Sequence, residues 1–104
     1  MDIQYIPQLI IKPLLTEFEK FKPGIVIIDV KLGNEDGREI CQRFRKDHED
    51  IALILTSVHE PYIQNFKAYG ADGAIIKPFE PEDLRKTIGA AVKSRKEKVN
   101  KKDT

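Results

Sequence analysis

Three residue types that handle negative charge recur at the ends of apolar runs in this chain. Ile25, Val26, Ile27 and Ile28 run into Asp29; Leu53, Ile54 and Leu55 run into Thr56 and Ser57; Ala74, Ile75 and Ile76 run into Lys77, Pro78 and Phe79. A carboxylate is an oxygen nucleophile or a cation ligand, a hydroxyl is a hydrogen-bond donor, and an ammonium group is a compact positive charge. Groups of this kind do chemistry only when they meet, and open α/β sheets bring them together at the carboxyl ends of parallel strands, where loops converge and backbone groups are free. Asp29, Thr56 and Lys77 are therefore the candidate site residues. A loop from Gly33 to Gly37 follows Asp29 at once.

The elements that must position them follow from hydrophobic spacing. Short apolar runs alternate with amphipathic stretches, which predicts a parallel sheet with helices packed on it. Ile3 to Ile6 reads as a first strand, and Pro13 opens a helix with Leu14, Leu15, Phe18 and Phe21 on one face. The strand to Asp29 comes next, then a helix from about Arg38 to Lys46 with Ile40, Cys41 and Phe44 inward. After a strand over Ile51 to Leu55, a helix beginning near Pro61 carries Ile63, Phe66 and Tyr69 and stops at Gly70, a suitable C′ residue. Ala74 to Ile76 then leads to a last helix opened by Pro81, with Leu84, Ile88, Ala91 and Val92 inward and a frayed, charged end beyond Lys93.

Composition narrows the function classes. A chain of 104 residues has room for one core and no separate catalytic domain. With 18 basic and 17 acidic residues the charge is nearly balanced, which argues against a nucleic-acid or membrane surface. The basic tail, with Lys93, Arg95, Lys96, Lys98, Lys101 and Lys102, suits a helix C-terminus and solvent. Cys41 is the only cysteine, which excludes an internal disulfide and reads as a small core residue. His48 and His59 read as solvated loop residues. No stretch has membrane-spanning length and no signal sequence opens the chain, so the expectation is a cytoplasmic protein.

From Pro23 to about Val92 the chain resembles a receiver domain of a two-component response regulator. The resemblance rests on the strand ending in Asp29, on Gly37, on the pair Thr56 and Ser57, on the segment Gly70-Ala71-Asp72-Gly73, and on Lys77-Pro78-Phe79 before an acidic helix start. It implies a flavodoxin-like α/β fold with helices on both faces of the sheet. One N-terminal βα unit is lacking, leaving about four strands and four helices. As a domain the chain reads as one truncated unit, with an atypical βα segment over 1–22, the match over 23–92 and a charged tail over 93–104.

The resemblance also assigns roles. Asp29 becomes the acceptor of a phosphoryl group from a phosphohistidine or small phosphodonor, Lys77 pairs with the phosphoryl oxygens, and Thr56 hydrogen-bonds one of them. Mg²⁺ is expected between Asp29, the backbone carbonyl of Lys31, and an acidic pair on the first strand. That pair is missing: Pro7 and Gln8 follow Ile6, and neither supplies a negative ligand. Mg²⁺ binding is thus expected to be weak, and phosphotransfer impaired. Ala74 stands where the family often carries an aromatic switch residue. The expected function is a non-enzymatic, receiver-like signalling protein that acts mainly by protein interaction, with a histidine kinase or other signalling protein as partner. Because the truncation leaves only the last helix for one sheet face, an uncovered apolar surface and a homodimer, with segment exchange as one form of it, are also expected. A phosphorylation-driven switch and an incomplete gene product are the alternatives.

Overall fold

The computed structural model describes residues 3–6, as backbone, and 24–102, with the side chains of Leu32, Lys101 and Lys102 left aside. The main sheet has four strands in the order β1 (Ile3–Ile6), β2 (Ile25–Asp29), β5 (Ala52–Ser57) and β6 (Gly73–Ile76), and every neighbouring pair is parallel. Between β2 and β5 lie a two-stranded hairpin, β3 (Lys31–Leu32) with β4 (Glu35–Asp36), and helix α1 (Gly37–Asp47). Helix α2 (Pro81–Lys102) follows β6. The expected first strand and its parallel place beside β2 are therefore present; the expected helix from Pro13 lies outside the described residues.

Strand order follows chain order, so right-handed crossovers bring the described connections, β2 to β5 and β5 to β6, to one face of the sheet. On that face Val26, Ile28, Leu53 and Leu55 pack under Ile40, Cys41 and Phe44 of α1, with Ile63 and Ala71 from the segment after β5. The other face, Ile25, Ile27, Ala52, Ile54 and Ile75, meets Ala91, Leu84, Ile88 and Val92 of α2. Side chains alternate faces along a strand, which explains why the centre of the sheet reads as unbroken apolar runs: both faces are covered. Each of the buried Val, Leu, Ile and Phe side chains contributes roughly 1.5–3 kcal/mol relative to exposure.

Three expectations are corrected. Residues after β5 do not form one α-helix from Pro61; they form two short 3₁₀ turns, Glu60–Tyr62 and Phe66–Tyr69, ended by Gly70 at φ 85°. Ile63 is the one buried side chain of this segment before Ala71, with Phe66 and Tyr69 only partly buried against the same core, which leaves little burial to offset the ordering of a longer helix. The uncovered apolar face is not seen in the described strands either: Ile25 and Ile27 are 0% and 2% exposed, and the large exposed hydrophobics are Val58 and Tyr62. Finally, α2 does not fray beyond Lys93 but runs to Lys102, for a reason given below.

Candidate functional site

The carboxyl ends of β2, β5 and β6 bring the three expected side chains together. Asp29 is the register partner of Thr56, and Ser57 is the partner of Ile76, so Lys77 emerges one residue past the ladder beside both. The ammonium group of Lys77 donates to Asp29 Oδ2. The other carboxylate oxygen, Oδ1, accepts from the backbone N–H of Lys31 at 3.0 Å. Asp29 is 9% exposed and the Lys77 side chain 29%, so the pair is mostly buried with the ammonium side nearer to solvent.

Backbone bonds lock these ends. Val30 N–H donates to Thr56 O at 2.9 Å and Lys77 N–H donates to Ser57 O at 2.9 Å. Ser57 Oγ accepts from His59 N–H at 3.0 Å, which turns the chain away from the strand end. The peptide joining Lys77 to Pro78 is cis. Gly37 closes the other side: its N–H donates to Val30 O at 2.7 Å, and a Cβ at this position would lie 2.0 Å from the carbonyl oxygen of Asp29. Only glycine permits the start of α1 to press so closely on the peptide that carries the carboxylate.

Thr56 differs from its neighbours. The residue is completely buried, and its Oγ1 has no hydrogen-bond partner. Buried polar groups are nearly always paired because an unpaired one forfeits its hydration with no return. The hydroxyl is thus a donor held in reserve beside a carboxylate and an ammonium group, an arrangement suited to receiving an anionic oxygen.

A divalent cation fits this site poorly. Among the described residues Asp29 supplies the carboxylate of this site, and both of its oxygens already accept hydrogen bonds from Lys77 and Lys31. Among the described residues no group of three or more His, Cys, Asp or Glu side chains is placed to hold a metal ion. The Lys31 carbonyl adds one neutral ligand at most, whereas Mg²⁺ favours carboxylates that compete with its water shell. Pro7 and Gln8, named as the sequence substitutes for the acidic pair, lie outside the described residues.

Spacing did not disclose the rim of the site. Asp36 caps α1, accepting from Arg38 N–H at 2.9 Å, and its carboxylate is gripped by the Arg38 guanidinium at 2.7–3.1 Å. This side-chain hydrogen bond, more than the backbone one, holds the Asp36 carboxyl below its ordinary pKa. Arg38 in turn lies 5.3 Å from the Tyr62 ring centroid and 5.5 Å from that of Tyr69, a cation–π geometry that fastens the 3₁₀ segment to α1. The spacing of Asp36 and Glu39 at a helix start is the cap signal that could have revealed it. Ala74, in place of the family's aromatic switch residue, is half-buried against the α1-side core. His59 is exposed as expected, but His48 is half-buried with its ring 4.5 Å from that of Phe44. No described helix is long and apolar enough to cross a membrane.

Comparison with known proteins agrees with this geometry. The response regulator receiver domain family matches residues 11–89. The response regulator ArlR of Staphylococcus haemolyticus is 36% identical over 75 residues, covering 71% of this chain and 34% of that protein. The sensory transduction protein LytT of Oceanobacillus iheyensis is 31% identical over 98 residues, covering 85% of this chain and 39% of LytT. The chain thus spans little more than a third of either relative. Among solved structures, a CheY-like receiver domain protein of Methanospirillum hungatei superposes with a TM-score of 0.67 at 22% identity, over 81% of this chain and 69% of that one. NtrX of Brucella abortus in complex with ATP superposes with a TM-score of 0.76 at 19% identity, over 97% of this chain and 28% of NtrX; these two likenesses speak for the flavodoxin-like fold alone. With a family match over most of its length and relatives above 30% identity, the chain belongs to the response regulator receiver domains of two-component signalling.

Proposed function

We propose that this receiver works mainly as a protein-interaction module, with Asp29 in the phosphoacceptor position and Mg²⁺-dependent phosphotransfer impaired. The observation that carries the reading is the ligand count at Asp29: one carboxylate among the described residues, both oxygens engaged by Lys77 and Lys31. Phosphoryl transfer to a carboxylate depends on positioning and on neutralising the oxygens of the moving group. Lys77 and Thr56 supply part of that neutralisation, and a tightly held Mg²⁺ would have to supply the rest. On this reading the protein is not an enzyme, binds Mg²⁺ weakly and acts in the cytoplasm. Its partner is a histidine kinase or another signalling protein, met at the site rim where Val58 and Tyr62 are exposed. A homodimer draws support from the open edges of β1 and β6 in the described sheet, and less from its faces.

A working phosphorylation switch is the second reading, favoured by the unpaired Thr56 hydroxyl beside Lys77. Titration with acetyl phosphate or beryllofluoride plus Mg²⁺, followed by amide shifts at Thr56 and Lys77, separates the two. Impairment predicts little change at millimolar Mg²⁺. A full response that disappears in Asp29→Asn overturns it. An incomplete gene product with no role of its own predicts that no kinase or signalling partner is retained specifically.

A further inference from the structure

At the amino ends of the strands, opposite the Asp29 rim, a second charged cluster is buried. Asp72 precedes β6, and its carboxylate is fully enclosed, 0% exposed. It is fixed to β5 twice: Asp72 N–H donates to Leu53 O at 2.7 Å, and Asp72 Oδ2 accepts from Leu53 N–H at 3.0 Å. Arg45 at the end of α1 donates through Nη2 to Oδ2 at 2.7 Å and spends its remaining donors on the carbonyls of Gly70, His48, Glu49 and Ile51. Arg95 of α2 reaches Oδ1 through Nε at 3.0 Å and Nη2 at 2.8 Å, with Lys98 Nζ at 3.9 Å.

Arg95 continues the inward stripe of α2. Leu84, Ile88, Ala91, Val92, Arg95 and Val99 share one helical face, yet the last fully buried apolar residue on it is Ala91. Past Val92 the helix presents Lys93, Ser94, Lys96, Glu97, Lys98 and Asn100, and Val99 is half-buried. Apolar packing secures the first half of α2, whereas the second is held chiefly by Arg95, which also donates through Nη1 to Glu49 O at 3.3 Å, with Lys98 as a longer second contact to Asp72.

We propose that Asp72 is a buried latch, and that the docking of the second half of α2 on the sheet is governed chiefly by the ion pair from Arg95 to Asp72, with the exposed Lys98 a weaker second partner. With the latch closed, residues 93–102 form a helix lying along the amino ends of the strands. With it open, that segment parts from the sheet while the α2 turns under Leu84 to Val92 stay seated. Because the carboxylate is tied to Leu53, the latch joins α2 to the strand whose far end carries Thr56, and any displacement of β5 is felt directly by Arg95.

The test is amide hydrogen exchange on the full chain carrying Arg95→Met. This variant keeps an apolar stem on the stripe and leaves Asp72 its bonds to Arg45 and Leu53, whereas Asp72→Asn would strand both guanidinium groups. Exchange at residues 96–99 is expected to speed up by at least about ten-fold, with residues 53–55 unchanged, and Arg95→Lys is expected to recover part of the protection. Unchanged protection over 96–99 overturns the latch, since packing would then hold the helix. Equal loss at 53–55, or failure of Arg95→Met to fold, overturns it too, because the pair would then hold the whole domain.

Discussion

Replacing Thr56 by valine should make this domain more stable. The residue is a β-branched side chain near the carboxyl end of a strand paired on both sides, 0% exposed, with no partner for its Oγ1. Valine has nearly the same shape, so the substitution opens no cavity and leaves the backbone bond from Val30 N–H to Thr56 O intact. What it removes is a desolvated hydroxyl, and a buried donor left without an acceptor costs about 1–3 kcal/mol. Taking the lower end, because a hydroxyl rotor relaxes towards any nearby electron density, the expected gain is about 1 kcal/mol. For a chain of this size that moves the melting temperature up by about 4–8 °C. With a urea m-value of about 1–2 kcal/mol/M it raises the midpoint by roughly 0.5–1 M. Thermal and urea unfolding followed by circular dichroism give the two numbers, and an unchanged m-value confirms that stability itself moved. A loss of about 1 kcal/mol or more in Thr56→Val refutes the reasoning, since the hydroxyl would then have a partner in the folded state. A group kept unpaired at a cost to stability is what a binding site requires and a core does not.

Gly37→Ala is expected to cost about 3 kcal/mol or more, because the new methyl meets backbone rather than a yielding side chain; denaturant titration checks it, and a loss below about 1 kcal/mol contradicts the close approach. The Asp36 carboxyl titrates below its ordinary value of 3.8 when folded, so the stability it lends is present above that pH and lost as pH falls through the lower folded value. Asp36→Asn should therefore be less stable than the parent at pH 6, with the deficit shrinking as pH falls below 3.8, which urea midpoints across that range will show. Burial pushes the Cys41 thiol up to about 12, so almost no thiolate exists at pH 8. A disulfide reagent should react with it only at the rate at which the domain opens, and fast labelling of the native protein would contradict its burial.

Strand ends were the legible part of this protein. Apolar runs stopping at Asp29, Thr56 and Lys77 disclosed both the parallel sheet and the convergence of three side chains, because strand length and burial on both faces leave a plain mark on composition. The segment from Pro61 to Tyr69 misled for the opposite reason. Ile63, Phe66 and Tyr69 have helical spacing, but the contacts that decide its conformation come from Arg38, which lies far away in sequence and is charged. Arg95 was hidden in the same way. An arginine among lysines reads as a solvated tail, and nothing local marks it as the partner of Asp72, whose place beneath the sheet depends on the pairing of β5 with β6.

The sequential strand order has a kinetic consequence. Each strand of the described sheet lies next to the one before it in the chain, so no strand has to be inserted between two that are already paired. Loop closure therefore proceeds by successive short additions, which keeps the separation of contacting residues low for a parallel topology. Growth outward from the β2 and β5 pair, whose side chains are almost wholly enclosed, would leave the Asp29 rim among the first surfaces to take shape and the α2 latch among the last.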